Sequence, residues 1–174
     1  MPDSYESPQT KLLELMLAPL IAQSVGTVAK LGVADCFQGS SLSTAEIARA
    51  IGADEAKLRR CLRVCASVDV FTAELDDHWA LTRLGESLKT DSPDCARFMT
   101  IIPSAFAHWT TFGRLAECVK TGRSQAKEAL GAEIWEYYEQ EPAEAEIFGQ
   151  AMKNMSAMSI GPVLEHYDFA LYPT

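Results

Sequence analysis

The stretch LSTAEIARAIGADEAKLRRCLRVCASVDVFTAELDDHWALTRLGESLK, residues 42–89, decides the fold of this chain. Ser43 and Glu46 have the spacing of a capping box, which predicts that a helix begins here. Gly52 then ends this short helix. Asp54 caps a second helix, in which apolar side chains repeat at helical spacing: Leu58, Leu62 and Cys65.

A β-hairpin follows the two helices. Residues 68–71 alternate loosely as a strand, Asp76 and Asp77 supply a turn, and residues 78–81 form the returning strand. Thr82 opens a last short turn of helix. Two short helices followed by a hairpin are typical of a winged helix-turn-helix. The predicted fold class is therefore mainly α, with a small β-hairpin as the wing.

Winged helices often bind DNA, and the distribution of charged residues indicates whether this one can. The second helix is locally basic, but the chain has 15 Lys and Arg against 24 Asp and Glu, a formal net charge of −9. The turn of the wing, Glu74 to Asp77, is acidic and would repel phosphates. DNA is therefore not the expected partner. A dimeric winged-helix transcription regulator stays as the alternative, with these residues in the major groove: Lys57, Arg59, Arg60 and Arg63.

Length and composition indicate a globular protein. The 174 residues suffice for one domain, or one domain with an extension, and 48% of them are hydrophobic. The N-terminus MPDSYESPQT does not resemble a secretory signal, and no run of about eighteen apolar residues predicts a membrane span. The spacing of the cysteines fits neither a disulfide framework nor a zinc site, so we expect reduced thiols in a cytoplasmic protein: Cys36, Cys61, Cys65, Cys95 and Cys118.

The first helix predicts a homodimer. After a flexible lead at residues 1–9, an apolar segment runs from Thr10 to Leu31, and its helix is apolar on nearly every face. A small domain cannot cover such a helix by itself, so the predicted cover is a second copy of the chain. The alternative is a helix covered within its own subunit. Pro19 predicts a kink or break.

The second half of the chain is predicted to be helical. Ser104 caps a helix that ends at Gly122, and residues 125–131 form a link. Residues 133–140 form a short aromatic helix. Pro142 opens a further helix, which Gly161-Pro162 either ends or separates from a last short helix.

The sequence shows no self-sufficient active site. It contains no Gly-rich nucleotide loop, no serine in a nucleophile elbow and no His, Cys or carboxylate cluster with metal-ligand spacing. We therefore predict no catalytic, cofactor-binding or metal-binding residue in this chain.

A cluster of aromatic, histidine and methionine side chains on two helices is a candidate binding surface: Phe106, His108, Trp109 and Phe112 on one helix, and Phe148, Met152, Met155 and Met158 on the other. Such side chains make adaptable apolar surfaces that suit flat organic ligands. The alternative is that they only pack two helices together. The candidate substrate-binding residues lie on the helix after Ser104 and on the helix after Pro142: Phe106, Trp109, Phe148, Met152 and Met155.

Five segments in order make the chain resemble the N-terminal region of S-adenosylmethionine-dependent O-methyltransferases. The similar enzymes are of the caffeic-acid and acetylserotonin type, and the bacterial branch that modifies aromatic polyketides and other small metabolites is the most similar. The segments are LSTAEIARAIGADEAKLRRCLRVCASVDVF, WALTRLGESLK, HWTTFGRLAECVKTG, FGQAMKNMSAM and VLEHYDFALYPT.

The resemblance implies a function for each part of the chain. It implies a dimerisation domain with a winged helix at residues 10–103, and a helical linker at residues 104–174 that contributes to the acceptor pocket. S-adenosylmethionine would bind to a Rossmann-like domain that this sequence lacks, and that domain would carry the catalytic base. Homologues with diverted chemistry, such as hydroxylation, leave the whole reaction open. Asp69 stands where the family generally has glycine, a position that could require a positive φ.

Overall fold

A computed structural model describes residues 7–167, without the side chain of Pro162. The described chain is mostly helical and contains one small antiparallel sheet. It divides between Ser92 and Pro93 into two compact units, each taken by itself below. The predicted domain boundary at residue 103 stays a prediction. The predicted lead falls largely on residues 1–6, outside the described residues.

The first unit contains four α-helices and three strands among its described residues. Three-residue or four-residue 3₁₀ turns connect some of them. The elements are α1 Pro8–Lys30, β1 Leu42–Ser43, α2 Thr44–Ile51, α3 Glu55–Ala66, β2 Phe71–Ala73, β3 His78–Leu81 and α4 Arg83–Glu86. One 3₁₀ turn, Val33–Cys36, lies between α1 and β1, and another, Leu75–Asp77, lies between β2 and β3.

The predicted helix ends are confirmed. The Glu46 carboxylate accepts from the Ser43 backbone N–H at 2.8 Å, and the Ser43 hydroxyl accepts from the Glu46 N–H, which completes the capping box. Gly52 ends α2 in the left-handed region, with φ +67°. The Asp54 carboxylate caps α3 by accepting from the Lys57 N–H at 2.9 Å. Two short helices therefore form where the local signals place them.

The hairpin is confirmed, but its first strand is Phe71–Ala73 and not residues 68–71, because the turn after α3 extends to Val70. A strand that the sequence did not predict joins the hairpin. Strands β2 and β3 pair antiparallel, and β1 pairs with the other edge of β3, giving the order β1-β3-β2. Asp76 and Asp77 are both left-handed, with φ +56° and +60°, as turn residues of a hairpin often are. Asp69 also has a positive φ, +59°, which explains why a glycine suits that position.

The Asp77 carboxylate does more than form a turn. It accepts two hydrogen bonds from the Arg59 guanidinium of α3, at 2.9 and 2.7 Å, and so joins the hairpin turn to that helix. The hydrogen bond from Arg59 holds the pKa of Asp77 below its ordinary value. The stability that this ion pair contributes is therefore present at neutral pH and is lost as the pH falls through the lowered pKa of Asp77.

We expect Asp77→Asn to lower the free energy of unfolding at pH 7 and to flatten its pH dependence below about pH 4, the ordinary carboxyl range. Asp76→Asn is the matched control, because both positions are left-handed and asparagine tolerates that region as well as aspartate does. Urea unfolding from pH 7 to pH 2 measures both. Equal losses of stability in the two variants would contradict a specific role for the Asp77 ion pair.

Helix α1 differs from the prediction at Pro19, because the helix is continuous there. Pro19 lacks a backbone N–H and so removes one helical hydrogen bond, but the other hydrogen bonds of this long helix remain. The helix begins at Pro8, where the Ser7 hydroxyl accepts from the Thr10 N–H at 3.1 Å. Its second half is buried on α3, and the Cys61 thiol of α3 donates to the Ser24 carbonyl at 3.4 Å.

The first half of α1 is uncovered in this chain. Its large apolar side chains are 47–74% exposed, and they point in several directions around the helix: Leu12, Leu13, Leu15, Met16, Leu17 and Leu20. Exposed apolar surface of this extent marks an interaction site.

By length and composition α1 is also a candidate membrane span, which corrects the expectation that no segment qualifies. Within this fold, residues 8–20 are the exposed part of the helix. At 1.5 Å per residue they extend about 20 Å, whereas the hydrocarbon core of a bilayer is about 30 Å thick. The exposed part is therefore too short to span a bilayer while the rest stays packed on α3.

The second unit is helical throughout its described residues. Its elements are α5 Arg97–Ile101, α6 Phe106–Phe112, α7 Leu115–Thr121, α8 Ala126–Leu130, α9 Ile134–Gln140 and α10 Pro142–His166, with a 3₁₀ turn Ile102–Ser104 before α6. The longest helix, α10, packs along α5 and α9.

Four predictions for this unit differ from the structure. The predicted helix from Ser104 to Gly122 is two helices, because the backbone leaves helical geometry at Arg114 after Gly113. The Ser104 hydroxyl donates to the Ile101 carbonyl at 2.8 Å and so does not cap α6. Residues 125–131, predicted as a link, contain α8. Helix α10 continues through Gly161 and Pro162.

Candidate functional site

The second unit contains a cavity of about 310 Å³ between α6, α8, α9 and α10. Its volume is at the lower end of the roughly 300–1,000 Å³ that is usual for small-molecule sites. Nearly all of its wall is apolar or aromatic. The lining residues are Ala107, His108, Thr111, Phe112, Ala126, Ile134, Trp135, Tyr138 and Phe148.

Phe148 is the centre of the aromatic wall. Its ring is stacked on Tyr138, with ring centroids 5.1 Å apart, and on His108, at 6.4 Å. Trp135 meets the edge of the same ring at 5.9 Å. Four rings from three helices therefore enclose one side of the cavity. Offset and edge-on arrangements such as these are favourable for aromatic side chains and for a flat aromatic ligand.

Glu144, in the first turn of α10, holds α6 and α9 in place. One carboxylate oxygen accepts from the Ala107 N–H at the beginning of α6, and the other accepts from the Tyr137 hydroxyl, both at 2.8 Å. Helix α6 has no side-chain cap of its own, so Glu144 satisfies a backbone donor that would otherwise lack a partner. This carboxylate thereby fixes the helix that carries His108.

Burial sets the protonation of the polar groups in the wall. Desolvation lowers the pKa of His108, and the charge of Glu144 opposes that shift. Desolvation, followed by the charge of Glu144, raises the pKa of Tyr138. At neutral pH the imidazole is therefore uncharged and the phenol protonated, so the cavity carries no formal charge from these two side chains.

The structure brings one predicted binding residue, Phe148, into the cavity. Phe106 stacks on Tyr137, with centroids 6.3 Å apart, and is 60% exposed. Trp109 and Met155 are also exposed, and Met152 is half-buried. These four lie in the same unit, but they do not line the cavity.

Sequence analysis missed most of the lining residues. Trp135 and Tyr138 come from the short aromatic helix of residues 133–140, where two aromatic residues three apart share a helix face. That spacing could have identified both residues as candidate members of an aromatic binding surface. Ala126 lies on α8, which the sequence did not predict as a helix. His108 precedes Trp109 directly and therefore points away from it.

The lining of this cavity does not fit S-adenosylmethionine. The cavity wall contains no carboxylate that could bind ribose hydroxyls and no glycine-rich turn that could approach the cofactor. Within residues 7–167, no group of three or more His, Cys, Asp or Glu side chains could hold a metal ion. The arrangement suits a flat, largely apolar ligand.

The basic face of α3 is partly neutralised. The Arg59 guanidinium binds two carboxylates, Asp77 at 2.7 Å and Glu55 at 2.6 Å, and this pairing raises its pKa. A guanidinium held by two carboxylates is a poor phosphate ligand. The electrostatic argument against DNA binding is therefore stronger in the structure than in the sequence.

Comparison with known proteins shows the class to which the chain belongs. Residues 13–91 match a family model described as "Dimerisation: O-methyltransferase dimerisation domain". Residues 13–91 thus carry the dimerisation domain of the O-methyltransferases, and the relatives of the chain include bacterial O-methyltransferases of natural-product biosynthesis.

Individual relatives agree with that class. The mitomycin biosynthesis 6-O-methyltransferase of Streptomyces lavendulae is 31% identical over 86% of this chain and 43% of its own length. The phenazine O-methyltransferase PhzM of Lysobacter antibioticus is 27% identical over 94% and 48%. The crystal structure of LaPhzM superposes with a TM-score of 0.88 at 26% identity, over 94% of this chain and 49% of that one.

The chain spans about half the length of the curated relatives it matches. Some of the similar solved structures hold S-adenosylhomocysteine. These enzymes use S-adenosylmethionine as their methyl donor.

Proposed function

We propose that this chain is the dimerisation and acceptor-binding part of a small-molecule O-methyltransferase that acts on an aromatic natural product. The observation that carries the proposal is the uncovered apolar half of α1 in a domain of this family. A second copy would cover it, so the chain is a homodimer formed through residues 10–31. Its helices α2 and α3 and the small sheet form a winged helix that serves association, not DNA binding.

The chemistry of the whole enzyme is divided between its parts. S-adenosylmethionine supplies the methyl group, and the part of the enzyme that binds it carries the base that takes the proton of the acceptor hydroxyl. The residues described here exclude water from one side of the acceptor and orient its aromatic plane. The enzyme acts in the cytoplasm, where its methyl donor and its acceptor are both available.

The surface that contacts the acceptor, called the acceptor wall here, consists of the cavity lining together with the substrate-binding residues predicted from the sequence. Phe148 stacks on the acceptor from within the cavity. Met152 lies one helical turn further along α10, and Met155 follows it, so both extend the same apolar wall. Phe106 and Trp109 supply the wall from α6. Aromatic contacts of this kind contribute about 0.5–1.5 kcal/mol each beyond area burial.

Three tryptophans allow a test with 1-naphthol, a two-ring phenol. We expect 1-naphthol to move the indole N–H resonance of Trp135, which lines the cavity. The Trp79 resonance should stay fixed, because its N–H is buried and donates to the Thr44 hydroxyl at 2.8 Å in the other unit. A shift of the Trp109 resonance would support the assignment of Trp109 to the acceptor wall. An unchanged Trp109 resonance would exclude Trp109 from that wall.

Phe148→Leu measures the contribution of the central ring. The variant keeps an apolar side chain but loses the stacked ring, so we expect 1-naphthol to bind roughly two- to tenfold more weakly. Unchanged affinity in Phe148→Leu, or an unmoved Trp135 resonance in the wild-type chain up to the solubility limit, would contradict acceptor binding in this cavity.

A further inference from the structure

The His108 ring is held in one orientation in the cavity wall. It stacks on Phe148 at an interplanar angle of 26°, and Phe112, one helical turn later on α6, meets it at 61° with centroids 6.3 Å apart. One stacked and one edge-on aromatic neighbour restrict the rotation of the imidazole. Glu144 fixes the adjacent Ala107 through its backbone N–H. The ring is therefore a positioned group and not a freely rotating surface side chain.

The hydrogen-bonding capacity of the His108 ring is not used by the part of the chain that the structure describes. Among the described residues, no side chain or backbone group hydrogen-bonds the nitrogens of His108. Thr111 and Tyr138 supply hydroxyls to the same wall, but most of the lining is hydrocarbon. A polar group in an otherwise apolar pocket orients a ligand and discriminates between ligands, because leaving it unpaired is costly.

We propose that His108 is the specificity-determining residue of this pocket, and that its ring hydrogen-bonds an oxygen substituent of a flat aromatic acceptor that lies against Phe148. The proposal rests on the proposed function, since it takes the cavity as the acceptor site. It adds that the site selects oxygenated aromatics, phenols or quinone-like carbonyls, over hydrocarbons of the same shape.

Protonation supports this selection. Burial lowers the pKa of His108, so the ring is neutral at pH 7 and offers one N–H donor and one nitrogen acceptor. A phenol can donate to the bare nitrogen, and a carbonyl can accept from the N–H. A naphthalene ring can do neither and would leave the imidazole without a partner.

The test compares 1-naphthol with naphthalene, followed by the Trp135 indole resonance in the complete 174-residue chain. We expect wild type to bind 1-naphthol roughly three- to tenfold more tightly than naphthalene, and His108→Phe to lose this preference while its affinity for naphthalene changes less than twofold. Phenylalanine keeps the stacked ring and removes only the nitrogens. His108→Gln, which retains a hydrogen-bonding group at this position, should keep part of the preference.

Thr111→Val is the control for the neighbouring hydroxyl, because it keeps the shape of the side chain. A His108→Phe variant that keeps the preference would overturn the proposal, as would a loss of the preference in Thr111→Val. If His108→Phe bound both ligands more weakly by the same factor, His108 would have a packing role only, and this result would also overturn the proposal. Absence of any binding to wild type contradicts the proposed function instead, so the two failures are distinguishable.

Discussion

A chain carrying Leu13→Glu together with Leu17→Glu is expected to be a folded monomer. The two side chains are 54% and 47% exposed in the single chain and lie one turn apart on the uncovered half of α1. A partner chain that covers them would have to bury two unpaired carboxylates, which costs several kcal/mol for each. We therefore expect the dimer to weaken by more than a hundredfold.

The choice of glutamate keeps the test specific. Glutamate is a good helix former, so α1 keeps its structure, which circular dichroism will show. Leu75→Glu is the control, because Leu75 is 87% exposed in the hairpin turn and the same kind of substitution there adds a carboxylate away from α1. We expect this control to behave as wild type in gel filtration. A double variant that stays dimeric at micromolar concentration would place the interface elsewhere.

Gly85→Ala is expected to destabilise the first unit severely. A Cβ atom at this position would clash with the Val70 carbonyl oxygen and would lie 2.9 Å from the Leu81 side chain. Backbone atoms cannot move aside as the end of a flexible side chain can. Overpacking of a buried site typically costs 1–3 kcal/mol or more, and we expect about 3 kcal/mol here because the nearest atom is backbone.

Gly149→Ala is the matched control for this prediction. Gly149 lies within α10, and a Cβ there would meet nothing within 4 Å. Alanine is the better helix former, so the control should be neutral or more stable by up to about 1 kcal/mol. Urea unfolding gives both values. A stable Gly85→Ala protein would show that α4 does not approach the Val70 carbonyl as closely as described.

Local signals allowed the first unit to be predicted well. The Ser43 capping box, the Asp54 cap and the Gly52 stop each depend on residues three or four apart, and the structure has all of them. Strand β1 was not predicted, because two residues carry no periodic pattern. Its pairing with β3 depends on residues more than thirty positions away, which only the tertiary fold brings together.

The candidate site was less predictable, for the same reason. Glu144 caps the beginning of α6 from 37 residues away, and no local pattern announces that hydrogen bond. Phe148 was found from its chemistry, but His108 and Trp135 line the cavity only because α6, α9 and α10 converge there. Sequence analysis identified the kind of side chain that a flat ligand requires, and the fold decided which of these side chains share one cavity.

The central claim is that the uncovered half of α1 is covered by a second copy of the chain. The most direct test is the molar mass of the unmodified 174-residue chain, measured by light scattering after gel filtration. The account predicts a dimer of about 38 kDa at micromolar concentration, twice the 19.1 kDa of one chain. A well-folded monomer of 19.1 kDa would contradict it.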